Sequence, residues 1–199
     1  MSLLLLAALQ VASMTMAVPP DRSAPGSPVP ERQPLEPSGP AAAQRSALAA
    51  LAGLEAGDGR LARDAADRAL AQPLPAPAVA ELRMIRARAD ALLNDRAAAR
   101  ADLDLAIAAQ PNDIVPRLLS ATLARQMGDI ERARVDVEAA WDLAPDEPLV
   151  LLESARLALA AGAPEPASVA WRRVLAGSGD EAAKAEARTG LRSLGLKVD

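Results

Sequence analysis

The side chains that carry out most enzyme chemistry are absent or badly placed in this sequence. The chain has no histidine and no cysteine, which removes thiol nucleophiles, Cys/His zinc sites and the commonest general base. Asp102 and Asp104 are two residues apart, so they point to different faces of a helix and cannot share a substrate. The glycine-rich run from Gly177 to Asp180 lacks the Lys-Ser or Lys-Thr of a phosphate-binding loop. We therefore expect no enzymatic activity, no cofactor and no metal.

Arginine is the side chain best suited to recognition here, because 20 of the 22 basic residues are arginine. A guanidinium binds a carboxylate through two parallel hydrogen bonds and tolerates apolar neighbours. The net charge of −4 gives no reason to expect a nucleic-acid partner, which requires a basic face. The heavy use of alanine and arginine is typical of a GC-rich genome and favours a bacterial source.

The apolar half of the chain predicts an all-α fold. Alanine makes up about a quarter of the residues, aromatic residues only 1%, and phenylalanine and tyrosine are missing. Alanine has the highest helix propensity and lets helix backbones approach closely. The β-branched and aromatic residues that favour strands are sparse.

Residues 1–17, MSLLLLAALQVASMTMA, have the apolar character of an export signal. They end with small residues at the third-last and last positions, as signal peptidase requires, although no Lys or Arg precedes the apolar run. The run is short for a membrane span, which needs about 20 residues. We expect a cleaved signal peptide and a periplasmic or secreted protein. One alternative is an uncleaved inner-membrane anchor, which would be the only membrane contact. The other is a wrongly assigned start or a cytoplasmic tail.

Residues 18–40 form a proline-rich segment, with eight prolines among 23 residues. Proline removes backbone donors and blocks helices, so we expect a disordered linker that acts as a tether. A ligand for a proline-binding domain is the alternative, since Pro25 to Pro28 and Pro34 to Pro37 have the required spacing.

The remainder of the chain is periodic. Turn-forming pairs recur at intervals of 37, 34 and 34 residues, at Gly57-Asp58, Asn94-Asp95, Gly128-Asp129 and Gly162-Ala163. Glycine, and next best asparagine, takes the left-handed conformation that ends a helix, and a following aspartate can cap the next helix. Pro111 and Pro145 follow the second and third turns by 17 residues and should end the second helix of a unit. The pattern predicts helix–turn–helix units.

A 34-residue helix–turn–helix unit with a closing proline resembles the tetratricopeptide (TPR) repeat. In that family small residues recur at three positions of each unit where helices touch. Eleven of the twelve corresponding positions are alanine here, and the twelfth is valine: Ala50, Ala87, Ala121, Ala155, Ala62, Ala99, Ala133, Ala167, Ala69, Ala106, Ala140 and Val174. The Trp and Tyr that the family usually carries early in the first helix are absent. We expect Trp141 and Trp171 in the second helices to pack between units, with a ligand site as the alternative.

The resemblance implies a right-handed superhelix of about four antiparallel TPR-like repeats within a domain of residues 41–196. The units would span 43–76, 80–113, 114–147 and 148–181, followed by a C-terminal capping helix over 181–194. In the family, the first helices line a concave groove that binds a peptide or protein segment. The residues implied for partner binding are Met84, Arg88, Leu118, Thr122, Arg125, Leu152, Arg156 and Leu159.

These residues predict a groove with an apolar floor and spaced arginines, suited to a peptide with apolar anchors and an acidic group. Alternatively, neighbouring helices or the proline-rich segment cover these positions. The Lys and Asn of the family's clamp for chaperone tails are missing, so that partner is not inferred. We expect a monomeric, non-catalytic scaffold or adaptor of the bacterial cell envelope. The alternative is a structural or assembly component permanently docked in an envelope complex.

Overall fold

A computed structural model describes residues 39–177 and 179–197 of the chain. The predicted signal peptide and nearly all of the predicted linker lie outside these residues. The described part contains nine α-helices and no strand, which confirms the all-α prediction. The helices are α1 (Pro40–Glu55), α2 (Gly59–Leu70), α3 (Ala76–Leu92), α4 (Arg96–Ala109), α5 (Ile114–Gln126), α6 (Ile130–Leu143), α7 (Pro148–Ala160), α8 (Pro164–Ala176) and α9 (Glu181–Ser193).

The chain divides into two compact units, Met1–Ala99 and Arg100–Asp199, and the boundary falls inside α4. In the first unit α1 packs against α2 and α3, and α2 packs against α3. Its core contains six alanines together with Leu82 and Ile85. Gly53 of α1 lies so close to the backbone of Ala62 in α2 that a side chain at position 53 would not fit. The close approach of α1 and α2 therefore depends on the lack of a side chain there.

In the second unit each helix packs against the next along the chain from α5 to α9. In addition α5 contacts α7, and α7 contacts α9, so these alternate helices lie side by side. The largest core cluster joins α7, α8 and α9 around Trp171, and half-buried Trp141 packs against it. Both tryptophans thus pack among the helices of the second unit, and their predicted packing between repeat units stays a prediction.

The turns within the predicted hairpins share one backbone geometry. Gly57, Asn94, Gly128 and Gly162 have φ values of 71°, 59°, 79° and 73°, all in the left-handed region. In each turn the N–H of the following residue donates to a carbonyl five residues earlier, for example Asp129 to Ala124 at 2.9 Å. A second bond runs from the left-handed residue to the carbonyl three residues earlier, for example Gly128 to Arg125 at 3.0 Å. This pair of bonds is the Schellman motif, and it satisfies carbonyls that the helix leaves free.

Aspartates open several of the helices, as predicted. The carboxylates of Asp58, Asp95 and Asp129 accept hydrogen bonds from backbone N–H groups three residues later, at 3.0 to 3.2 Å. Asp180 caps α9 in the same way at 2.8 Å. The fourth hairpin turn has Ala163 in this position, and α8 instead begins with Pro164. Proline suits a first helical position because it has no N–H to satisfy.

The small residues of the repeat pattern are all buried. All twelve positions that carry the TPR resemblance are at most 1% exposed to solvent. α4 and α6 end at Ala109 and Leu143, two residues before Pro111 and Pro145. The sequence pattern therefore identified the helix contacts and the helix ends correctly.

Candidate partner-binding surface

The eight predicted partner-binding residues lie on α3, α5 and α7, and they differ widely in exposure. Met84, Leu118 and Leu152 are buried, and the latter two belong to the core of the second unit. Thr122, Arg125 and Arg156 are partly buried. Arg88 and Leu159 are exposed. The apolar residues of the predicted floor thus serve mainly to hold the helices together, and the polar ones reach solvent.

One face of α7 combines apolar and charged surface in the second unit. Leu149, Leu152, Arg156 and Leu159 follow one another at intervals of three, four and three residues, so they share a helix face. Leu149 is 52% exposed and Leu159 is 37% exposed. The two leucines lie on either side of Arg156 along the helix, with Leu152 buried beneath. This surface, which we term the α7 face, presents apolar groups beside a guanidinium.

The arginines of this region belong to a chain of ion pairs across alternate helices. Arg125 Nε of α5 donates to Glu153 Oε1 of α7 at 2.8 Å. Arg156 Nη1 donates to Glu153 Oε2 at 3.0 Å. Arg156 also donates from Nε and Nη2 to the two carboxylate oxygens of Glu186 in α9, at 2.7 and 2.5 Å. We term Arg125, Glu153, Arg156 and Glu186 the charge chain. The helices α5, α7 and α9, which already pack side by side, are thus also joined by the hydrogen bonds of the charge chain.

Burial differs sharply along the charge chain. The side chain of Glu153 is only 2% exposed, whereas those of Arg156 and Glu186 are 38% and 40% exposed. Burial lowers the pKa of the Arg156 guanidinium, but its hydrogen bonds to Glu186 and Glu153 outweigh burial, and the pKa lies above its ordinary value. Arg156 is therefore positively charged throughout the ordinary pH range. Glu153 is buried between two guanidiniums, which supply the positive partners that a buried carboxylate requires.

Two further buried aspartates have arginine partners. Asp136 of α6 accepts hydrogen bonds from Ser120 Oγ at 2.7 Å and Arg132 Nε at 3.0 Å. Arg132 also donates to Asp104 of α4 at 2.5 Å, within the second unit. In the first unit buried Asp90 accepts from Arg63 Nε, and Arg63 Nη2 donates to Asp95 at 3.0 Å. These carboxylates are engaged in holding helices together.

The sequence patterns did not identify Asp90, Asp136 or Glu153. A signal was nevertheless present in their spacing. Asp136 follows Ala133 by three residues and precedes Ala140 by four, which places it on the buried face of α6. Glu153 stands in the same relation to Val150 and Leu157 on α7. A carboxylate on such a face requires a buried cationic partner.

Trp141 has a charged neighbour on its solvent side. The guanidinium carbon of Arg173 lies 4.6 Å from the centre of the Trp141 ring, a cation–π distance. Arg173 Nη2 also donates to Asp146 Oδ1 at 2.7 Å and to the carbonyl of Pro145 at 3.3 Å. Arg173 of α8 thereby fastens the loop between α6 and α7.

Within residues 39–177 and 179–197, no helix has the length and the apolar character that a membrane span requires. No group of three or more aspartates and glutamates there is placed to hold a metal ion. No family model matches the chain, and neither does any curated protein.

Proposed function

We propose that the chain is a non-catalytic scaffold or adaptor that binds a peptide or protein segment on the α7 face and the adjoining surface of α5. The observation that carries the proposal is the exposure of Leu149 and Leu159 beside Arg156. Arginine is enriched among the residues that contribute most to protein interfaces, and the exposed leucines beside it add apolar surface that a partner can bury. The partner chemistry that fits is an apolar segment with an acidic group.

The TPR-like architecture is part of the same proposal. Repeated Schellman turns and the burial of the twelve small residues are what stacked TPR-like hairpins require. Side-by-side packing of α5, α7 and α9 also supports a layer of first helices that a partner can contact. We infer a right-handed superhelix from these features together with the sequence resemblance.

The proposal extends to the cellular setting, on the basis of the sequence of residues 1–40. An apolar start with small residues before a proline-rich segment supports export to a bacterial periplasm, with the proline-rich segment as a tether. In that setting the scaffold would act on envelope or secreted proteins.

The proposal is tested by affinity capture from a bacterial envelope extract with the full chain. We expect Leu149→Glu with Leu159→Glu to abolish capture of a specific protein, because both substitutions place charge on the apolar anchors. The matched control is Val135→Glu with Val169→Glu, two valines of α6 and α8 that are 54% and 57% exposed.

If the protein with both leucine substitutions still captures the partner, the binding surface lies elsewhere. The same conclusion holds if the leucine and the valine double substitutions abolish capture equally. A captured protein that stays at fixed stoichiometry through gel filtration would instead indicate an assembly component. A transient partner would separate under the same conditions and support the adaptor function.

A further inference from the structure

The Arg156 guanidinium is divided between two carboxylates in different surroundings. One arm, Nη1, contacts buried Glu153 of the same helix. The other edge, Nε and Nη2, contacts both oxygens of Glu186, a partly exposed residue of α9. The second arrangement is the bidentate geometry that arginine adopts with any carboxylate.

The hydrogen bond from Nη1 to buried Glu153 fixes Arg156 independently of Glu186. Glu153 is held from its other side by Arg125, so it has no freedom to turn away. When the Glu186 carboxylate leaves, Arg156 keeps its hydrogen bond to Glu153 and its orientation. Its Nε and Nη2 groups then face solvent as a preorganised receptor for a carboxylate.

The hydrogen bonds between Arg156 and Glu186 can be replaced without release of α9. The helix is anchored by fully buried Ala187 and Leu191 and by the contact of Gly190 with Trp171. Glu186 itself belongs to the partly exposed surface. An exchange of carboxylates at Arg156 therefore requires only that the Glu186 side chain change its rotamer.

We propose that Glu186 is a built-in competitor for the acidic group of a peptide partner at Arg156. The inference rests on the proposed binding function of the α7 face and specifies how that face is regulated. Within the charge chain, Arg125 and Arg156 balance Glu153 and Glu186. Loss of the Glu186 carboxylate from this set leaves one net positive charge beside Leu149 and Leu159. An acidic peptide with apolar side chains complements that surface, and α9 lowers its affinity because the peptide must displace Glu186.

The test uses a displayed library of random 12-residue peptides, selected on the full chain carrying Glu186→Gln. Enriched peptides are synthesised with a fluorescent label and titrated against the unsubstituted chain and the variant. We expect acidic peptides whose affinity for the variant is about fivefold higher, the size of one partly exposed ion pair. The advantage should vanish when the peptide's acidic residue is replaced by its amide, and with Arg156→Gln in the protein.

The matched control is Glu181→Gln, which removes an exposed carboxylate of α9 that pairs with Arg188 rather than with Arg156. It should leave the affinity unchanged. Helix content of each variant is measured by circular dichroism, so that a folding defect is recognised. Glu186→Ala, which also removes the rest of the side chain beyond Cβ, should reproduce the gain in peptide affinity of Glu186→Gln.

The results separate this inference from the proposed function. Peptides that bind both proteins equally, yet fail to bind Leu149→Glu with Leu159→Glu, would overturn the competitor role and leave the binding function standing. The absence of any peptide that binds either protein would overturn both.

Discussion

Gly190 of α9 lies directly against the indole of Trp171, so closely that a Cβ at position 190 would overlap the ring carbons Cε2 and Cζ2. Trp171 is only 3% exposed, and its Nε1 has no hydrogen-bond partner among the residues that the structure describes. An unsatisfied buried donor costs about 1–3 kcal/mol. The fit of the flat ring against the bare backbone at Gly190 is one of the contacts that hold α9, together with buried Ala187 and Leu191.

Gly190→Ala should destabilise the second unit. Alanine in a helix gains up to about 1 kcal/mol over glycine, but overpacking costs about 1–3 kcal/mol. We expect the free energy of unfolding to fall by about 1–2 kcal/mol. Urea unfolding followed by tryptophan fluorescence measures this change, because both tryptophans lie in the second unit. Thr189→Ala, at the exposed neighbouring position, is the control. An unchanged midpoint for Gly190→Ala would show that Trp171 moves aside without cost.

Glu153→Gln should be the most destabilising single change in the charge chain. It leaves Arg125 and Arg156 without their shared buried carboxylate. We expect a loss of about 3 kcal/mol, the lower end for breaking a buried pair, because both arginines retain some contact with water. Glu131→Gln removes a carboxylate whose pair with Arg134 is largely exposed, and it should leave the free energy of unfolding nearly unchanged. Equal losses in urea unfolding would contradict the ranking by burial.

The hairpin turns predict that glycine stabilises the left-handed position. Removing glycine at one turn and introducing it at an equivalent turn should therefore have opposite effects on stability. Gly128→Ala places a side chain at φ 79° and should cost about 1 kcal/mol. Asn94→Gly relieves a non-glycine residue at φ 59° and should be neutral or stabilise by up to about 1 kcal/mol. Thermal unfolding followed by circular dichroism covers both units. A stabilising Gly128→Ala would contradict the assigned turn geometry.

A larger side chain in place of a buried alanine should lower the free energy of unfolding. Ala133→Leu inserts three carbons at a fully buried contact between helices and should destabilise by about 1–3 kcal/mol. Ala185→Leu on the exposed side of α9 is the control and should change stability by at most about 0.5 kcal/mol. Similar unfolding midpoints for the two variants would mean that the contact at Ala133 has room to expand.

Arg173 and Arg172 form a natural matched pair. Arg173→Ala removes the cation–π contact with Trp141 and the ion pair with Asp146, each worth up to about 1 kcal/mol where exposed. We expect a loss of about 1 kcal/mol and an altered Trp141 emission spectrum. Arg172→Ala, at the exposed adjacent position, should leave both unchanged. An unaltered spectrum for Arg173→Ala would contradict the stacked geometry.

The sequence predicted the helices well because their signals are local. Gly128, Asp129 and Pro145 each mark a backbone feature within a few residues of themselves, and the structure has those features. The buried small residues were also predictable, since their spacing recurs. The charge chain was not predicted, because its pairs between helices join residues 28 and 30 positions apart, which meet only after the helices pack. Arg125 and Arg156 were identified as surface cations, although their carboxylate partners lie within the same chain.

The charge chain has a consequence for the order of the helices in the second unit. Alanine contacts differ little from one helix to the next, so they discriminate weakly between α5, α7 and α9, and the fit of Gly190 against Trp171 distinguishes only α9. Glu153 matches only neighbours that bring an arginine to it, and Glu186 matches only Arg156. A permuted arrangement would bury Glu153 without a counter-charge, which is far more costly than a poor apolar contact. The ion pairs thus specify the neighbours of each helix, which contacts between alanines do not.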